Sequence, residues 1–195
     1  MRKILVTGFE PFGGLDTNAS WEVVKRLPSG IGDFQVFTLQ LPVVFGLAAE
    51  TVMQEASAIQ PDIILCIGQA SGRSAITPEY VAINLRNASS PDNQGFEPHD
   101  VPVVTDGPDA YFAALPVRQM AAAILQSGIS AEVSYSAGTY VCNDLMYGLL
   151  HRYKNTGILT GFIHLPLLKE QAVDGQPCVK LDDAVRAVTA AISIL

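Results

Sequence analysis

Short runs of aliphatic and β-branched residues alternate with longer amphipathic stretches, and this alternation limits the possible folds more than any other feature of the chain. Strands are expected at Lys3–Thr7, Phe34–Leu41, Asp62–Gly68, Glu132–Ser136 and Ile158–His164. Helices are expected at about 18–27, 43–60, 109–127, 141–154 and 181–194, where apolar residues recur at helical spacing. Successive strands joined through helices need crossover connections, so the pattern describes an α/β chain with a mostly parallel sheet covered on both faces. No linker-like composition interrupts the 195 residues, and residues 1–195 read as a single domain large enough to bury one core.

Charge narrows the partners. A formal net charge of -7 disfavours nucleic acid and anionic membrane, both of which select a positive surface. The apolar run in MRKILVTG ends at Thr7 and Gly8, too short for a secretory signal, and the chain is expected to be cytoplasmic. Cys66, Cys142 and Cys178 make an odd count without a CxxC pair, which argues against both a disulfide framework and a structural zinc site.

In a parallel sheet every strand-to-helix loop emerges at the carboxyl edge, where open α/β folds bind their ligands. GFEPFGG (8–14) follows the first strand, GQASGRSAITPE (68–79) the third, and AGTYVC (137–142) the Glu132 strand, while His164 ends the Ile158 strand. One long stretch, Arg86 to about Pro108, is rich in Pro, Gly, Asn and Asp. It reads equally as a binding loop or as a surface excursion.

Cys142 has two readings. Leu145, Met146 and Leu149 follow it at three, four and seven residues, so the thiol could simply extend a buried helix stripe. It also stands in the first helical turn, where unpaired N–H groups and the helix dipole favour a thiolate. A nucleophile needs an acid/base partner. His151, nine residues along the same helix, lies on its far side, and His99 sits in a polar segment. His164 ends a strand at the favoured edge, sharing a face with Phe162; by itself it reads equally as a core histidine bonded to a backbone carbonyl, and Glu79 is the carboxylate in the 68–79 loop able to orient it as a base. This gives Cys142 as nucleophile, His164 as acid/base and Glu79 as orienter. Asp144 points about 160° away from Cys142 around the helix and is set aside. Phe9 and Phe12 suggest an apolar wall, although two core aromatics would read the same, and Gln69 offers an amide to a planar polar ligand. The glycines of 8–14 alone would also admit a nucleotide-binding reading, although GxGxxG and the Walker lysine are missing.

TGFEPFGG, IGQASGR-x-x-ITPE-x-VAIN, PDN-x-G, SAGTYVCN-x-LMYGLLH and GFIHLP with LLKEQ behind it, in this order along nearly the whole chain, resemble the pyroglutamyl peptidase I family, also called pyrrolidone-carboxylate peptidases. The resemblance implies a three-layer α/β/α sandwich with a mixed central sheet and a cysteine peptidase that removes N-terminal pyroglutamate from peptides. It further implies a homodimer or homotetramer and no metal or organic cofactor. On the family pattern Cys142, His164 and Glu79 take the catalytic positions, and Phe9, Phe12, Gln69, Tyr140 and Val141 the lactam pocket. Tyr140 stands where many members have Phe.

Three departures accompany the match. Relatives commonly read ARIPDN where this chain has Ala88-Ser89-Ser90-Pro91-Asp92-Asn93, so Ser89 replaces an arginine assigned to the oxyanion. Asp144 replaces a common histidine, and Tyr80 replaces an arginine beside Glu79. Arg73 and Arg86 are candidates to compensate, without a place that the sequence can assign. The departures motivate an alternative in which the chain binds a pyroglutamyl lactam and catalyses little.

Overall fold

A computed structural model describes residues 1–195. Its elements run β1 (Arg2–Phe9), α1 (Ala19–Val24), β2 (Gly30–Ile31), β3 (Phe34–Leu41), α2 (Leu47–Ile59), β4 (Ile63–Gln69), β5 (Thr77–Pro78), β6 (Val81–Ile83), β7 (Ala110–Phe112), α3 (Val117–Gln126), α4 (Val141–Tyr153), β8 (Leu159–Leu165), β9 (Leu167–Leu168), β10 (Cys178–Val179) and α5 (Leu181–Ile192). The central sheet has the order β2-β3-β1-β4-β8-β5. β3, β1, β4 and β8 are mutually parallel, and the short edge strands β2 and β5 run antiparallel to their neighbours.

Two-residue alternation divides the strands between two cores. Ile4, Val6, Ile63, Leu65, Ile67, Ile163 and Leu165 face α1, α3 and α5. Leu5, Ile64, Cys66 and Phe162 face α2 and α4. A mixed sheet between two helical layers is therefore the three-layer α/β/α sandwich expected from the resemblance. No helix is long and apolar enough to cross a membrane.

Two expected elements differ. The helix expected from 109 begins only at Val117, because Pro116 cannot continue a helix that starts before it and biases Leu115 to extended backbone. The preceding residues Ala110–Phe112 form β7, paired antiparallel with β6. The expected strand Glu132–Ser136 is reduced to two isolated parallel bridges, Ile76 to Ala131 and Glu79 to Ser134. β5, its neighbour, has only two residues, and Pro78 lacks the N–H that a regular ladder needs.

The same β5 changes how Glu79 reaches the site. The segment after β4 turns back and pairs antiparallel with β8, Thr77 opposite His164 and Pro78 opposite Ile163. Glu79 thus arrives from the sheet's edge strand rather than from a crossover loop.

Candidate active site

β8 is buried along most of its length, and its alternation sends His164 to the α4 side with Phe162, whose ring centroid lies 4.7 Å away. His164 Nδ1 lies 2.7 Å from Glu79 Oε1, and both side chains are buried. A neutral imidazole donating from Nδ1 leaves Nε2 as a proton acceptor. Burial lowers the His164 pKa, and the hydrogen bond to Glu79 offsets only part of that.

Cys142 occupies the second position of α4, which starts without a side-chain cap. The first intrahelical bond is Asp144 N–H to Tyr140 O at 3.1 Å, and the amides of Val141, Cys142 and Asn143 have no acceptor within the protein. Further along the helix, Leu145, Met146 and Leu149 are buried in the α2/α4 core. Both readings of the helix therefore apply, to different turns: the stripe packs, while the half-buried Cys142 opens onto a cavity. The expected lowering of its thiol pKa is not found. Burial pushes it up to about 12, and the Glu79 carboxylate pushes in the same direction. Removal from water disfavours the thiolate more than the helix terminus favours it.

The backbone makes room for the sulfur at Gly68. A Cβ there would stand 2.7 Å from the Phe162 ring and 3.0 Å from Cys142 Sγ. Gly68 pairs with His164 across β4 and β8, so the thiol sits over the strand next to the imidazole.

A cavity of about 120 Å³ is lined by Phe9, Phe12, Gln69, Tyr140 and Val141 together with Cys142 and His164. The volume is close to that of four waters of liquid, enough for one small ring. Glu79 stands behind His164 and does not line it. A larger open groove of about 410 Å³ beside Lys169 and Lys180 contains none of these residues, and their chemistry directs attention to the smaller cavity.

Each wall has a local cause. A Cβ at Gly8 would meet the backbone of Ser20 at 2.8 Å, so glycine lets α1 start against the end of β1. Asn18 caps α1 through its side-chain oxygen, and Ser20 Oγ accepts the Phe9 N–H at 2.8 Å. Glu10 N–H is taken by Leu41 O. The 8–14 segment presents Phe9 and Phe12 to the cavity as an aromatic wall. Gln69 Oε1 accepts from Ala19 N at 2.7 Å and from Gln171 Nε2 at 2.9 Å, which fixes the orientation of its amide. Its buried Nε2 is left without a partner.

The 86–108 stretch is stitched to this rim. Arg86 pairs with Val101, Asn93 N–H donates to Val43 O, and the Asn93 amide donates to Glu10 Oε1 at 2.7 Å. Tyr140 OH donates to Pro91 O at 2.9 Å. The departures at Ser89, Asp144 and Tyr80 lie outside the cavity. Asp144 turns to Arg86 Nε at 2.5 Å and Gly46 N at 2.7 Å, Tyr80 packs against Phe112 and Tyr135, and Ser89 is exposed.

Sequence reasoning did not single out Asn18, Val43 and Ala137 as lining residues, nor the partner of Glu79. Asn18 was legible as a helix cap before ASWEVV. Arg73, which donates from Nη1 to Glu79 Oε1 at 2.6 Å, lies within the IGQASGR-x-x-ITPE block, but nothing in that block marks it as a partner of Glu79.

The model of the family described as pyroglutamyl peptidase matches residues 2–195. A pyrrolidone-carboxylate peptidase of Levilactobacillus brevis is 50% identical over 97% of this chain and 95% of its own length. One from Vibrio vulnificus is 48% identical over 96% and 90%. The crystal structure of Bacillus amyloliquefaciens pyroglutamyl peptidase I superposes with a TM-score of 0.96 at 43% identity, covering 99% of this chain and 96% of that one. The pyrrolidone carboxyl peptidase of Thermococcus litoralis gives 0.95 at 37% identity, covering 100% and 93%.

Proposed function

The chain belongs to the pyroglutamyl peptidase family, and from that premise we propose that it is a cysteine exopeptidase hydrolysing N-terminal pyroglutamate from peptides, with Cys142 as nucleophile, His164 as acid/base and Glu79 as its orienter. The observation that carries the assignment is one small cavity lined by a thiol and by an imidazole whose other nitrogen is held by a buried carboxylate.

The pocket suits a neutral ring. Phe9, Phe12 and Tyr140 offer aromatic walls, and no carboxylate lines the cavity to hold an α-ammonium, so a free N-terminal glutamate or glutamine would be desolvated without a counter-charge. The unpartnered Gln69 Nε2 is assigned to an acceptor such as the lactam carbonyl, because an orphan buried donor costs about 1–3 kcal/mol until it is paired.

The proton steps follow from the resting state. A raised thiol pKa and a lowered imidazole pKa make the pair neutral at rest. His164 Nε2 takes the thiol proton as sulfur attacks the pyroglutamyl carbonyl, and Glu79 stabilises the imidazolium. The free amides at the start of α4 receive the oxyanion, a role that loop arginines need not fill. Imidazolium then protonates the leaving amine. Water deprotonated by His164 attacks the thioester, releasing pyroglutamate and restoring the thiol.

The domain 1–195 is taken to carry the whole reaction without metal or organic cofactor. The family resemblance supports a homodimer or homotetramer, and three unpaired cysteines suit the reducing cytoplasm. The assay is cleavage of a pyroglutamyl anilide: wild type releases the amine, while Cys142→Ala and His164→Ala do not. Undiminished cleavage by Cys142→Ala would remove the nucleophile assignment.

A further inference from the structure

Glu79 is an anomaly as a simple orienter. It is fully buried, and its Oε1 receives two donors, His164 Nδ1 at 2.7 Å and Arg73 Nη1 at 2.6 Å, while its Oε2 has no partner. A carboxylate removed from water needs a counter-charge. The resting imidazole is neutral and does not provide one.

Arg73 is the guanidinium that touches it. Its side chain is 24% exposed, and three contacts hold it: Nη1 also donates to Thr77 Oγ1, and Nη2 donates to Ser136 O at 3.0 Å. One end thus lies on β5, which presents Glu79, and the other on the segment leading to the nucleophile's helix. The ionisable groups facing this cluster are Glu79 beside β5, His164 on β8, Cys142 on α4, Tyr140 just before α4 and Cys66 on β4. Arg73 is the permanent cation among them.

We propose, resting on the peptidase reading above, that Arg73 is a positioning residue that gives the buried Glu79 carboxylate its counter-charge and turns it so that one oxygen serves guanidinium and imidazole together. When sulfur and imidazole exchange their proton the row becomes guanidinium, carboxylate, imidazolium, thiolate, with charges alternating along it. Without Arg73, the buried Glu79–His164 pair is a lone anion that gains a proton more readily, and a protonated pair does not accept the thiol's proton. Arg73 lowers the proton affinity of both His164 and Cys142, in accord with this arrangement.

The test compares Arg73→Gln and Arg73→Lys with wild type in pH profiles of anilide hydrolysis and in a direct NMR titration of the His164 ring, which needs no turnover. In Arg73→Gln, kcat is expected to fall by about 10²-fold or more, in the range seen when one charge-stabilising donor is lost. The pair's proton uptake, read as the acid limb and as the ring titration, should move to higher pH by about one unit. Arg73→Lys restores the charge without the fork and should recover most of that shift and part of kcat. A loss of kcat with unmoved ring titration and acid limb, or with equal loss in both variants, would show that Arg73 only anchors the Ser136 segment and would overturn the proposal. If instead wild type cleaves no anilide while the ring titration still moves in Arg73→Gln, the electrostatic role stands and the peptidase reading falls.

Discussion

Gly68→Ala tests whether the strand under Cys142 is shaped by its sulfur and the Phe162 ring. Gly68 does not use the left-handed backbone region, so alanine meets no conformational objection there, and the effect is steric. The new methyl carbon would sit 2.7 and 2.8 Å from two Phe162 ring carbons and 3.0 Å from Cys142 Sγ. Phe162 is fully buried beneath α4 and cannot move freely, whereas the sulfur borders the cavity. Overpacking of this kind costs about 1–3 kcal/mol. For a chain of this size that is a fall in Tm of roughly 2–12 °C. The sulfur should also be displaced into the cavity, and a misplacement approaching 1 Å at the reacting atom lowers turnover by about 10²-fold. Gly148→Ala is the control, because on the back of α4 its methyl would meet only Ala49 Cβ at 3.4 Å. It should be neutral or stabilising by up to about 1 kcal/mol. Calorimetry and anilide kinetics on both variants provide the readout. A Gly68→Ala protein with wild-type Tm and kcat would refute the close approach of β4, Phe162 and the thiol.

Further outcomes follow from the same geometry. Activity should rise with pH through a value below the ordinary histidine pKa of about 6.5, since the base must be neutral and burial holds its pKa down; an acid limb above that value would contradict the buried base. The same lowered pKa gives a stability contribution that is present above about 6.5 and lost as pH falls from there through the folded-state value. The raised thiols of Cys66 and Cys142 act in the opposite range: their contribution is present below 9.0 and lost as pH rises towards about 12, measurable by alkaline denaturation of wild type beside Cys66→Ala. Asp144→Asn keeps an acceptor for Gly46 N–H and loses a charge that burial already disfavours, so it should cost about 1 kcal/mol, whereas Asp144→Ala leaves donors of Gly46 and Arg86 unpaired and should cost about 2–3 kcal/mol in urea unfolding. Tyr140→Phe loses the hydrogen bond to Pro91 O that ties the 86–108 stretch to the pocket, and should raise KM by about 2–10-fold; an unchanged KM would show that the tie does not shape the pocket.

Hydrophobic periodicity alone determined much of this protein: the long parallel strands, the helices on both faces, and the placement of Cys142 and His164 at the same edge. Those features follow from which side chains seek burial, and that preference is written locally, residue by residue. Recognition of the family blocks added five expected pocket residues, Phe9, Phe12, Gln69, Tyr140 and Val141, which lie together around the cavity. Only the tertiary structure decided the rest. The return of β5 against β8 that brings Glu79 to His164, the Arg73 side chain behind it, and the pairing of Asp144 with Arg86 join residues distant in sequence or unmarked by any periodicity. The protonation state of the thiol belongs to the same class. The position of Cys142 at a helix start favours thiolate, but how much water is removed from the sulfur depends on chain segments far from it, and that desolvation reverses the local preference.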